Sequence, residues 1–262
     1  MEKPWNHWEA RRRELRTASE DRNLTEREIV AVDYSSFTTD KYIFTQCTAL
    51  GGVEVGPEGY QIVPEHSVWV NRNGLAFRNE QILLCYPSLI MAENFLEHTH
   101  YEELSKGKIL DAVPWVHYIP CPGGESIPTI FVDVLIATSK YKAPRLCEKI
   151  KNGKINAVSM GCDLTHAQCT QCGRIVLDGI EEPCDHVLSN LGGTFRGKDG
   201  TNRIVAELGG RPNDPDSCTF VEVSWVKRPA FVPAIFHGMV PTSAVSKGKP
   251  LEAYVPLKRL TS

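Results

Sequence analysis

The stretch INAVSMGCDL, residues 155–164, alternates larger apolar with small side chains at the period of a β-strand. It runs without a break into THAQCTQCG, residues 165–173, the start of a cysteine cluster. The period-two rule puts Val158, Met160 and Cys162 on one face and Ala157, Ser159 and Gly161 on the other. A serine flanked on its own face by two of the smallest residues leaves room for another backbone to reach its hydroxyl, and glycine two positions on permits close contact. From these residues alone, three readings stand: a strand that happens to hold a serine, the seat of a nucleophile, or the rim of a metal site.

Outward from this strand, short β-rich runs are punctuated by Gly, Pro and Asn, predicting strands near 41–50, 109–119, 127–138, 202–208 and 218–227. Helices are fewer. Residues 78–92 carry helical apolar spacing that Pro87 must kink or divide, and 143–153 open with Pro144, bury Leu146, Cys147 and Ile150 on one face and close at Gly153. The expected fold class is α+β: a mainly antiparallel, barrel-like sheet with flanking helices.

The 262 residues, 42% hydrophobic, suffice for one large domain. Residues 1–30 read as a charged arm, 31–240 as the folded domain with a cysteine-rich insertion at 162–187, and 241–262 as an irregular tail. No apolar run approaches the ~20 residues of a membrane helix, and the first residues are charged where a secretory signal is apolar, so a cytoplasmic setting and no membrane partner are expected. A net charge of −3 provides no basic field for nucleic acid.

Four of the nine cysteines, Cys162, Cys169, Cys172 and Cys184, fall within 23 residues, with His186 just beyond. A CxxC turn lets two thiolates chelate one ion, and a CxH pair a dozen residues later can complete a tetrahedral shell. The expected ligands are Cys169, Cys172 and Cys184, with Cys162 ahead of His186 for the fourth place. A closed shell of this kind makes the expected zinc structural.

A serine nucleophile needs a base, and the base an orienting partner. His98 and His100 lie between an apolar run and a strand. In CTFVEVSWV, residues 218–226, alternation puts Phe220, Glu222 and Ser224 on one face, so Glu222 is a candidate partner. Around LGGRP, the backbone of Gly210 and Arg211 is a weak candidate for oxyanion donors.

Three blocks in order, VNRNGLAFRNEQIL…NFLEH with KGKILDA, then KIKNGKINAVSMGCD, then CTFVEVSWVKRPAF, resemble the prohead core, or capsid maturation, proteases of tailed bacteriophages. The likeness spans residues 68–236 and is strongest to a large-phage branch that carries a CxxC cluster. The resemblance implies a serine endopeptidase on a herpesvirus-assemblin-like β-barrel, acting on scaffold or core protein, on the major capsid protein and on itself, inside the assembling procapsid in the host cytoplasm. It also implies possible self-association. The family serine falls on Ser159, the family histidine on His98 and the strand glutamate on Glu222. A shorter spacing to Gly107 would select His100 as base, and Asp185 or His186 are alternatives for the third member. The competing expectation is a non-catalytic, zinc-binding structural or scaffold-associated virion protein.

Overall fold

The computed structural model describes residues 35–240, apart from 57, 100, 121–123 and 125, together with the backbone of short strands at 29–31 and 252–254. Most of the expected arm and tail thus lies outside the described residues. The strands are, in chain order, β1 (Ile29–Ala31), β2 (Tyr42–Gly51), β3 (Leu75–Ala76), β4 (Glu93–Leu96), β5 (Gly107–Pro120), β6 (Ser126–Ser139), β7 (Ala157–Leu164), β8 (His166–Cys169), β9 (Ile175–Leu177), β10 (Thr194–Arg196), β11 (Asn202–Ile204), β12 (Glu207–Gly209), β13 (Cys218–Val226), β14 (Phe236–Met239) and β15 (Glu252–Tyr254). Among the described residues the α-helices are α1 (Asn79–Cys85), α2 (Pro144–Lys151) and α3 (Asp185–Asn190). The chain is a strand-rich α+β protein. Among the described residues no helix is long and apolar enough to cross a membrane.

Seven strands form the main sheet in the order β14-β2-β6-β5-β4-β13-β7. Every pairing is antiparallel except β4 with β13. At its centre lie β5 and β6, fourteen residues each. β5 tolerates Pro114 because β4 pairs with it only at Gly107 and Lys108, so the missing N–H falls on a stretch that β4 does not reach.

One face of the sheet carries the larger core. Ile109, Val132, Val134, Ile136, Val158, Val223 and Trp225 pack there with Ile82 and Cys85 of α1 and Leu146, Cys147 and Ile150 of α2. Helix α2 follows its sequence signals, with proline in its first turn and Gly153 at φ +66° beyond its end. Proline also divides the 78–92 segment as expected: α1 stops at Cys85, and Tyr86–Leu89 continue as a 3-10 helix with Pro87 in its first turn. A smaller cluster of Phe44, Leu110, Val113, Leu135 and Ala137 covers part of the opposite face.

The expected barrel does not form, because the sheet is open with β14 and β7 as its edges. Among the described residues the edges approach each other at an isolated bridge, Ala157 with Ile235, and through Val158 N–H to Ala234 O (3.1 Å) and Phe236 N–H to Asn156 O (2.9 Å). The 202–208 strand also divides. Val205 and Ala206, both fully buried, separate β11, which pairs with β10, from β12, which lies in a second sheet of order β3-β12-β8-β9. This second sheet has its own core of Val53, Ile62, Ala76, Ala206 and Leu208 and carries the cysteine cluster.

Candidate active site and metal cluster

Strand β7 lies against β13 with Ser159 opposite Ser224 and Gly161 opposite Glu222. Directly opposed residues share a face, so these four project together. Val158 and Met160, opposite Trp225 and Val223, turn to the large core instead. The sequence places Phe220 on the face of Glu222, and here the structure differs. The register shifts between Phe220 and Glu222, leaving Val221 as the extra residue of a β-bulge. Phe220 therefore packs in the core with Val223 and Trp225, while Glu222 and Ser224 turn to the face of Ser159. Re-aiming one side chain within an otherwise regular ladder is what a bulge does.

His98 reaches the same group from β4. That strand runs parallel to β13, pairing Phe95 with Ser224 and Leu96 with Trp225. The chain then turns sharply through Glu97 (φ +51°) and His98 (φ +54°), a left-handed conformation that non-glycine residues adopt only when their surroundings hold them there. Three bonds hold this turn: Glu97 N–H donates to Trp225 O (3.0 Å), His98 N–H to Ser224 Oγ (3.2 Å) and Lys227 N–H to Glu97 Oε1 (3.2 Å).

The His98 imidazole Nδ1 lies 2.6 Å from Glu222 Oε1, and Ser224 Oγ donates to Glu222 Oε2 at 2.6 Å. Glu222 is 1% exposed, Ser224 0% and Ser159 3%, so the half-buried imidazole is the accessible member. The hydrogen bond to Glu222 is the largest influence on the His98 imidazole and raises its pKa; with the weaker pull of the Glu222 and Glu97 charges it outweighs the opposing effect of burial. A carboxylate on Nδ1 fixes the tautomer with its proton there and leaves Nε2 as the proton acceptor. The structure thus joins His98 to Glu222. Among the described residues Ser159 makes no hydrogen bond to His98.

His100, the alternative base, lies outside the described residues. Asp185 and His186, the alternatives for the third member, lie at the start of α3, and His186 belongs to the cysteine cluster. Gly210 and Arg211 are not available as oxyanion donors, because Gly210 N–H is bonded to His166 O (2.8 Å) and Arg211 N–H to Ser217 Oγ (2.7 Å). The segment is an ordinary turn, with Gly210 at φ +80°.

Gly161 has a role that the strand pattern alone does not reveal. A Cβ added there would lie 2.5 Å from Glu222 Oε1 and 2.9 Å from its Cγ, so the glycine makes room for the carboxylate rather than for a ligand. Gly161→Ala is expected to displace Glu222 from His98. Its cost is about 1–3 kcal/mol of stability in denaturant titration, with a comparable loss in any activity that uses the pair.

A second histidine–carboxylate group sits at Thr48, Asp133 and His237. Thr48 Oγ1 donates to Asp133 Oδ1 (2.7 Å) and lies 2.7 Å from His237 Nε2. Here the hydroxyl lies between carboxylate and imidazole, so the carboxylate does not stand behind the base as nucleophile activation requires.

The cysteine cluster assembles on the second sheet. One ligand atom from each of Cys169, Cys172, Cys184 and His186 lies within 4.8 Å of the others. Cys172 Sγ is 3.5 Å from Cys184 Sγ, and Cys184 Sγ is 3.7 Å from His186 Nδ1. Donors about 3.8 Å apart are what tetrahedral Zn–S bonds of about 2.3 Å require. The loop is shaped by Gln171 N–H on Cys169 Sγ (3.3 Å), Gly173 N–H on Cys169 O (2.9 Å) and Gly173 at φ +75°. Burial pushes the Cys169 thiol up to about 12. At Cys184 burial acts the same way, but bonds from the Val187 backbone, Cys169, His186 and Cys172 outweigh it and bring the thiol down to about 7.

Cys162, expected ahead of His186, is not in the cluster. It pairs in register with Phe220 on β13 and packs against the large core, where burial and nearby carboxylates push its thiol up to about 12. Residues 185–190, where the sequence pattern names no element, form α3, and that turn of helix brings His186 beside Cys184. Compared with known proteins, the chain matches no family model, no curated protein and no solved structure.

Proposed function

We propose that the chain is a serine endopeptidase of the capsid maturation type that its sequence resembles. In this reading Ser159 is the nucleophile, His98 the general base and Glu222 its orienting carboxylate. The observation that carries the reading is the 2.6 Å contact between His98 Nδ1 and the buried Glu222, on the sheet face that also holds Ser159. Ser159 Oγ attacks the scissile carbonyl carbon, its proton passes to His98 Nε2, and Glu222 stabilises the imidazolium that forms. The proton then goes to the leaving amine as the C–N bond breaks. Water, deprotonated by the same nitrogen, releases the acyl group from Ser159.

The substrates in this proposal are scaffold or core protein, capsid protein and the chain itself, within an assembling procapsid. Cys169, Cys172, Cys184 and His186 hold a structural zinc ion that fixes the segment leaving β7, because Cys169 lies ten residues after Ser159 on continuous chain. The test is to incubate the purified chain with its scaffold protein and map the new termini. New termini that appear with the native chain and not with Ser159→Ala support the reading; identical processing by both contradicts it.

The pH dependence follows from the ion pair. His98 must be neutral to accept a proton, and its pKa is raised chiefly by the hydrogen bond to Glu222. Cleavage is expected to rise with pH through a midpoint above the ordinary imidazole value of about 6.5. Glu222→Gln is expected to move that midpoint to lower pH and to reduce kcat by on the order of 10³-fold or more, measured as a pH–rate profile. The stability linkage has the opposite sense. A raised folded-state pKa contributes stability that is fully present below the unfolded value and lost as pH rises through the folded one, so the pair weakens over the range in which activity grows.

A further inference from the structure

The second sheet ends on β9, which has no strand on its outer side among the described residues. Val176 at its centre is buried, while Ile175 and Leu177 face outward with 36% and 38% exposure. Two hydrogen bonds turn the chain after the strand, Ile180 N–H to Leu177 O (3.2 Å) and Glu181 N–H to Leu177 O (2.9 Å), and Ile180 in that turn is 80% exposed. Four exposed carboxylates follow β9 in the chain: Asp178, Glu181, Glu182 and Asp185. Between residues 174 and 190 the opposing charge is Arg174 alone.

This chemistry selects the kind of partner. Pairing two copies of β9 edge to edge would set their carboxylates against each other, which is unfavourable. A basic segment with large apolar side chains meets both features. The chain carries one. Residues 5–16, WNHWEARRRELR, combine Trp5, Trp8 and Leu15 with Arg11, Arg12, Arg13 and Arg16, and Arg11–Arg13 are the only three consecutive basic residues in the sequence. The residues between Arg16 and Ile29 can span up to about 40 Å, comparable with the width of a domain of this size.

We propose that residues 5–16 dock on the acidic, apolar edge of β9, with the arginines on the carboxylates and the tryptophans over Ile175, Leu177 and Ile180. The interaction ties the start of the chain to the module that holds the cysteine cluster. It does not depend on the protease reading.

The test uses the full-length chain carrying Ser159→Ala, so that self-cleavage cannot remove the segment. A photoreactive benzoylphenylalanine replaces Trp8. Irradiation followed by peptide mapping is expected to find adducts within residues 174–190. The double variant Asp178→Lys/Glu182→Lys, which keeps the Glu181 carboxylate on Leu177 N–H (2.9 Å), should lower the yield roughly tenfold at low salt, and adding Arg11→Glu/Arg12→Glu should restore it. Circular dichroism checks that each variant is folded. Adducts elsewhere, no adducts, or a yield insensitive to the charge reversals overturns the proposal.

Discussion

Ser159→Ala is expected to lower peptide-bond cleavage by on the order of 10⁴-fold or more while changing stability by less than about 1 kcal/mol. The two effects separate because the hydroxyl is one small group on a strand held by a ladder of eight register pairs with β13, none of which needs the side chain. In the proposed mechanism no neighbouring hydroxyl replaces it. Ser224 faces it directly across the ladder, but the Ser224 hydroxyl is already committed to Glu222 Oε2 and receives His98 N–H. A large loss of stability instead of activity would make Ser159 structural and turn the reading toward the non-catalytic alternative.

Removing one thiolate of the cluster should have the reverse signature. Cys172→Ser is expected to destabilise the second sheet strongly, because structural zinc contributes folding free energy of about 10–16 kcal/mol in small zinc modules at neutral pH. Cys172 is the exposed ligand, so the serine itself disturbs little packing and the loss reports on the metal. The checks are elemental analysis, with one zinc per native chain and none in the variant, and a thermal melt with and without chelator. An unchanged melt with no metal in either protein would contradict a structural zinc. His186→Ala should lower zinc content and Cys162→Ala should not, since Cys162 is half-buried against the large core and is not one of the four clustered donors.

Much of the site was legible in the sequence because it lies on strands. Alternation alone puts Ser159 and Gly161 together and Glu222 with Ser224, and the ladder aligns those two pairs. What alternation misses is the bulge at Val221, since a bulge inserts a residue without leaving a composition signal, and the assignment of Phe220 to the Glu222 face fails for that reason. The position of His98 depends on β4, four residues in parallel pairing with a strand more than a hundred positions away, which is too short and too distant for a periodic signal.

The open sheet was not legible for a related reason. Strand order and closure are set by partners far apart in sequence, and the β7 and β14 edges approach through a single bridge rather than a ladder. The choice of His186 over Cys162 rests on the short helix α3. In sequence the spacing from Cys162 to the CxxC pair looks equally usable, and only the departure of Cys162 into the β13 ladder removes it.

In the proposed function Ser159, His98 and Glu222 act as one reactive unit. The most direct measurement is labelling the native chain with a serine-directed fluorophosphonate and mapping the adduct by mass spectrometry. Ser159 Oγ displaces fluoride from phosphorus and its proton passes to His98. The expected result is a single adduct on Ser159, formed faster as pH rises and lost in His98→Ala. Labelling of another residue, or of Ser159 at an undiminished rate in His98→Ala, would contradict the account.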